Sequence, residues 1–240
     1  MNQLIIDRGD YLTVNKRELD FVEIAITKKS IDAKNLDDIH NTFKNIFNLK
    51  NLSKNKQIHS NIVNKIDKNN VGTIIDGDAI ITNDKNIPLL ILTADCVPVI
   101  LVDTVNKAVG LAHAGWRGTY GKICEETIKK MQQNYNTKPE DIIAIIGPSI
   151  GSCCYEVSYD LIDKFKKLLP NVSEKIYEIR DEKYYLDLWK INTEIMKEFG
   201  VLESNIVNMN ICTSCNCEEF YSYRKHDKTQ KRIGTFIEIK

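Results

Sequence analysis

Three apolar runs of strand length follow one another near the middle of the chain, over 89–93, 97–102 and 108–112. Asp95-Cys96 and the turn-like DTVNK (103–107) are the breaks between them, and the third run ends at His113. Short continuous apolar stretches bounded by turn residues read as strands covered on both faces. A fourth such run, 142–146, is stopped by Gly147-Pro148. The chain must therefore build its core on sheets.

The flanking sequence supplies the covering elements. Ile39, Phe43, Ile46 and Phe47 share helical spacing and predict an amphipathic helix over 37–49. Further helices are predicted over 120–133, 159–169 and 186–199, with strands over 20–27, 206–211 and 235–239. The segment 71–86 shows two strand-like patches around Asp76-Gly77-Asp78. No repeat or linker interrupts this order, so the expectation is one mixed α/β (α+β) domain spanning 1–240.

Composition excludes several classes. Thirty-three basic residues balance thirty-three acidic ones, which argues against a nucleic-acid binder. The densest basic stretch, KHDKTQKR (225–232), has no interleaved aromatics and reads as a solvated loop. The longest apolar run (87–102) is broken by Asp95 and two prolines and falls short of the ~20 residues of a membrane helix. MNQLIIDRGDYL at the N-terminus lacks the pattern of an export signal. Seven cysteines without such a signal imply reduced thiols and a cytoplasmic location.

Chemistry concentrates where the central runs end. If the second and third pair through a turn centred near residue 105, Cys96 falls almost opposite His113. A thiol beside an imidazole suits a thiolate nucleophile or a zinc site with a third ligand and one open position. Three other histidines exist, His40, His59 and His226; His59, between Ile58 and Ile62, is the better third candidate. Asp95 is a candidate base or ligand-orienting residue. Arginine is scarce, and Arg117 in HAGWRGTYG stands at the Gly-rich start of the 120–133 helix, a place for a phosphate. Arg224 in FYSYRK is a second phosphate candidate. Cys212, Cys215 and Cys217 form half of a structural zinc pattern with no second pair nearby in sequence. Adjacent Cys153-Cys154 read as packing residues.

QIHSNIV (57–63), GDAIITN (77–83), TADCVPVILVD (93–103), VGLAHAGWRGT (110–119), GPSIGSCCYEV (147–157) and CT…FYSYR (212–224) together resemble the YfiH/laccase-domain family. The resemblance covers about 57–232 and implies a layered α/β/β/α fold with mixed sheets, like that of cysteine-hydrolase toxins. It implies zinc, one per chain, held by His59, Cys96 and His113. It also implies phosphorolysis of adenosine, inosine, guanosine and S-methyl-5′-thioadenosine, and deamination of adenosine, so that the partners are purine nucleosides and phosphate. A metal-free cysteine hydrolase, a copper-binding polyphenol oxidase and a peptidoglycan-precursor editing enzyme are the alternatives. Four histidines are too few for the extra histidine cluster of a multicopper oxidase. The chain departs from the family in lacking an SLNLG-type segment before the first helix and in carrying Gln230 where glycine is usual.

Overall fold

The computed structural model describes residues 4–240; the first three residues of the stretch read for an export signal lie outside it. Among the described residues the strands form two six-stranded sheets and one three-stranded sheet. The first six-stranded sheet contains β1 (Ile5–Asp7), β2 (Tyr11–Val14), β3 (Val22–Thr27), β4 (Ser53–Lys54), β7 (Leu89–Thr93) and β15 (Ile233–Ile239). Its order is β1-β2-β3-β15-β7-β4. The second contains β5 (Val63–Lys65), β6 (Ala79–Thr82), β8 (Val97–Asp103), β9 (Ala108–Ala114), β10 (Ile142–Ile146) and β14 (Ile206–Asn208). Its order is β14-β10-β8-β9-β6-β5. The small sheet holds β11 (Glu156–Val157), β12 (Tyr177–Arg180) and β13 (Lys183–Leu186).

Side-chain alternation explains how the two large sheets stack. On β8, Val97, Val99 and Leu101 face a core shared with α3 (Ile123–Tyr135), α4 (Tyr159–Leu168) and α5 (Leu188–Glu198). Ile100 and Val102 face the opposite way, into a second core with Ile24, Ile26, Leu89 and Ile91 of the first sheet. Leu90 and Phe236 turn outward to meet Ile39 and Phe43 of α1 (Leu36–Phe43). The result is the expected α/β/β/α order of layers, and it explains why β8 and β9 are buried along their whole length.

The observed helix and strand limits differ from expectation for local reasons. The first helix ends at Phe43, yet Phe47 still reaches the core because its N–H bonds the Phe43 carbonyl at 2.9 Å. Of the two patches in 71–86 only Ala79–Thr82 becomes a strand; Ile74 and Ile75 are exposed, and the isolated bridge beside them joins Asp76 to Lys56, whose N–H the Ile75 carbonyl accepts. Left-handed Lys122 splits the predicted 120–133 helix into α2 (Trp116–Tyr120) and α3. The 206–211 strand stops at Asn208, whose side chain accepts the N–H of left-handed Asn210. The β12–β13 hairpin was not expected: its turn, Asp181-Glu182, takes positive φ at both positions without the Asn-Gly signal usual for such turns.

Candidate metal centre

The chain crosses from one large sheet to the other between Thr93 and Val97, and Cys96 lies on that crossing. The hairpin register pairs His113 with Pro98 and Ala114 with Val97. Cys96 thus stands two residues away from the position directly opposite His113. An even offset keeps both side chains on one face, so the expected meeting of thiol and imidazole survives the slip. His59 joins them from the loop before β5, with its ring 4.9 Å from that of His113. The ligand-type atoms of His59, Cys96 and His113 all lie within 4.8 Å of one another.

That loop needs outside support, because His59 adopts left-handed backbone, φ 61°. Asp78 provides it. Its fully buried carboxylate accepts the backbone N–H groups of Ile58, His59 and Ser60, the Ser60 hydroxyl, and Nδ1–H of His113 at 2.8 Å. Gln57 adds a clamp, giving its amide to the Leu92 carbonyl and accepting the Leu92 N–H, both at 2.8 Å. The sequence marks Asp78 only as part of the Asp76-Gly77-Asp78 break between two strand-like patches; its role depends on the pairing of β6 with β9, which sets it beside His113. With Nδ1 committed to Asp78, Nε2 of His113 is the nitrogen left for a ligand.

Electrostatics favour the ionised thiol. Burial pushes Cys96 up, but the adjacent His113 charge and hydrogen bonds from His113 and His59 bring it down to about 6. Burial likewise depresses His113, while the Cys96 charge and the Asp78 hydrogen bond raise it to about 9. Asp78 is opposed by its own burial, yet the bonds from His113 and Ser60 hold it well below the usual carboxylate range. Without metal the pair is therefore a thiolate beside an imidazolium; binding a divalent metal would release the Nε2 proton of His113 and leave thiolate and carboxylate-anchored imidazole as donors. Gly115 leaves room for them: a Cβ there would lie 3.0 Å from Cys96 Sγ and 3.3 Å from His59 Cδ2.

His59 and Cys96 line a cavity of about 770 Å³, with His113 buried behind them. Trp116, Tyr155, Ile150 and Leu188 give it apolar faces, and Arg117, Arg224, Arg232 and three lysines give it positive charge. The Arg117 guanidinium stacks 4.3 Å from the Trp116 ring, and that of Arg224 lies 5.1 Å from Tyr155. Arg117 lies in the first turn of the short α2, just after its Gly115 N-cap, and not at the head of the long α3; with so short a helix its own charge is the larger part of what it offers. Asp95 also borders the cavity, but at φ 85° its carboxylate turns to accept the Thr213 hydroxyl and the Arg224 N–H, each at 2.7 Å. His40 is exposed on α1 and His226 bonds Lys29 and the Ser222 N–H, both apart from the triad. No helix among the described residues is long and apolar enough to cross a membrane.

The sequence and the fold resemble those of known proteins. A protein of Clostridium acetobutylicum named purine nucleoside phosphorylase is 36% identical over 206 residues, covering 84% of this chain and 82% of the relative. YlmD of Bacillus subtilis, named likewise, is 33% identical over 77% of this chain and 69% of its own. The crystal structure of YlmD from Geobacillus stearothermophilus superposes with a TM-score of 0.92 at 27% identity, covering 99% of each chain. That of YfiH from Bacillus licheniformis gives 0.91 at 26% identity, over 98% and 99%. Residues 28–240 match the family described as multi-copper polyphenol oxidoreductase laccase. The chain belongs to this YfiH/laccase-domain family, several of whose members carry the name purine nucleoside phosphorylase.

Proposed function

We propose that this protein is a zinc-dependent purine nucleoside phosphorylase, with the whole of 1–240 as one catalytic unit. The reading rests on one observation: two imidazoles and a thiol cluster together, and His59 and Cys96 of that cluster face a cleft walled by aromatic faces and arginines. Its volume suits a nucleoside with phosphate beside it. His59, Cys96 and His113 would hold zinc, which with three protein ligands acts as a Lewis acid through an open position. Copper fits less well, since His40 and His226 lie away from the triad and supply no second cluster.

The chain's own groups then have separable tasks. Arg117 and Arg224 hold phosphate at the rim with charge-assisted hydrogen bonds. Trp116 and Tyr155 offer flat faces to the purine and exclude water from it. Asp95, through its bond to the Arg224 N–H, positions that arginine. In phosphorolysis a phosphate oxygen bonds to C1′ as the C1′–N9 bond breaks, giving ribose 1-phosphate and the free base, which takes up a proton. Adenosine, inosine, guanosine and S-methyl-5′-thioadenosine share that bond and form the substrate set. Deamination of adenosine, in which water adds at C6 and ammonia leaves, is the second activity of the same cleft.

Incubation of the purified protein with adenosine and phosphate tests this reading. Adenine and ribose 1-phosphate are expected, with inosine from deamination, and Cys96→Ala abolishes them. Release of no purine base from any of the four nucleosides overturns it. The line Cys96–His113–Asp78 also has the form of a cysteine-hydrolase triad. Full activity in protein stripped of metal would favour that second reading.

A further inference from the structure

A second cluster of ligand-type side chains lies outside this cleft. Cys153, Cys154, Cys212 and Cys215 bring all four sulfurs within 4.8 Å of one another. Cys215 Sγ is 3.4 Å from both Cys153 Sγ and Cys154 Sγ. The two halves are 61 and 62 residues apart in sequence for these pairs, and the fold places them side by side. The second pair missing from the Cys212-x-x-Cys215 pattern is therefore Cys153-Cys154, supplied by the turn after β10. Cys217 stays outside, near Glu218.

We propose that these four cysteines form a structural tetrathiolate site for zinc. Zinc–sulfur bonds of about 2.3 Å in a tetrahedron put sulfurs about 3.8 Å apart, within the observed spread. The frame is already built by the backbone. Ser149 N–H bonds the Ile211 carbonyl and Thr213 N–H bonds the Ser149 carbonyl, locking the two segments together just before the thiols. The Gly151 N–H points at Cys212 Sγ at 3.3 Å, the kind of donor that supports a bound thiolate. Gly151 itself has no room for a Cβ, which would lie 2.9 Å from the Trp189 ring. Arg180 donates to the Ser152 carbonyl at 2.6 Å, placing positive charge beside a centre that carries net negative charge when four thiolates bind one divalent ion. Each thiol gives its proton to solvent on binding.

The site has structural work to do. From 209 to 232 the chain has no strand or helix, and such long connections inside a compact domain need tethers. This one carries Thr213 and Arg224, while the turn it meets carries Ile150 and Tyr155; all but Thr213 line the active cleft. A metal joining the two would fix one wall of that cleft without touching substrate.

Metal analysis of a variant lacking the other centre tests the proposal. In Cys96→Ala/His113→Ala, purified under reducing conditions, about one equivalent of zinc remains bound. Replacing that zinc with Co²⁺ gives the strong thiolate charge-transfer bands of a tetrahedral tetrathiolate. Adding Cys212→Ser/Cys215→Ser removes both the zinc and the bands. The exposed Cys215→Ser alone, which disturbs packing least, also weakens retention of the metal. Absence of zinc from the folded Cys96→Ala/His113→Ala protein, with these four thiols freely alkylated in the presence of Zn²⁺, overturns it. So does a disulfide joining the 153–154 turn to the 212–215 turn that persists in wild-type protein purified in the presence of reductant and Zn²⁺.

Discussion

Asp78 touches two of the three triad residues at once: it accepts His113 Nδ1–H at 2.8 Å and the His59 N–H at 3.0 Å. One buried carboxylate thus orients an imidazole and shapes a strained loop. Asp78→Asn keeps an acceptor but loses the charge and one acceptor oxygen. Metal affinity, measured by competition with a chelator, is expected to fall ~10–100-fold. Unchanged affinity would remove Asp78 from the support of the centre.

Gly115→Ala adds a methyl group 3.0 Å from Cys96 Sγ at a backbone conformation that alanine tolerates. The fold should survive by circular dichroism while turnover drops roughly 100-fold, the cost of misplacing a reactive group by about 1 Å. Gly121→Ala is the control, since the nearest atoms to its new methyl belong to the Asn61 side chain and not to the triad, and it should retain most of the activity.

Arg117→Ala and Arg224→Ala should each raise KM for phosphate roughly tenfold or more, the loss of one charge-assisted contact. KM for the nucleoside should move much less. The Asp95 bond to residue 224 uses the backbone N–H and persists in Arg224→Ala. Equal effects on both substrates would place these arginines elsewhere in the reaction.

A pH effect on stability follows from Asp187, which caps α5 by accepting the Lys190 N–H at 2.8 Å. Burial raises its pKa above the usual carboxylate value, more than the Lys190 and Trp189 N–H bonds lower it. Folding therefore favours the protonated form. Its contribution is fully present below the unfolded pKa of about 3.9 and is lost as pH rises through the folded value. Asp187→Asn keeps the cap and removes the charge, so urea unfolding should show a gain at pH 7 that vanishes in acid. A gain independent of pH would refute this origin.

The sequence made the buried strands legible because β8 and β9 are apolar on both faces, and the pairing of Cys96 with His113 followed from one hairpin. His59 is a candidate from its place between Ile58 and Ile62, and the family motif strengthens it; its left-handed backbone and its dependence on Asp78 involve contacts between distant segments. The helix at 37–49 was overextended because Phe47 keeps helical spacing through a turn. Most instructive is Cys153-Cys154. Adjacent thiols signal nothing by themselves, and only the bridge between Ser149 and Cys212 brings them to Cys215.

The crossing at Ala94–Cys96 has a wider consequence. His113 rides on one large sheet, Gln57 ties the His59 loop to Leu92 of the other, and Cys96 spans the gap. The three donors therefore work as a caliper whose jaws are the two sheets. Its opening is set by side chains such as Ile91 and Ile100, deep in the layer between them. A change of volume in that hydrophobic layer would register as a change of fit for the ion, with every residue around the ion left untouched.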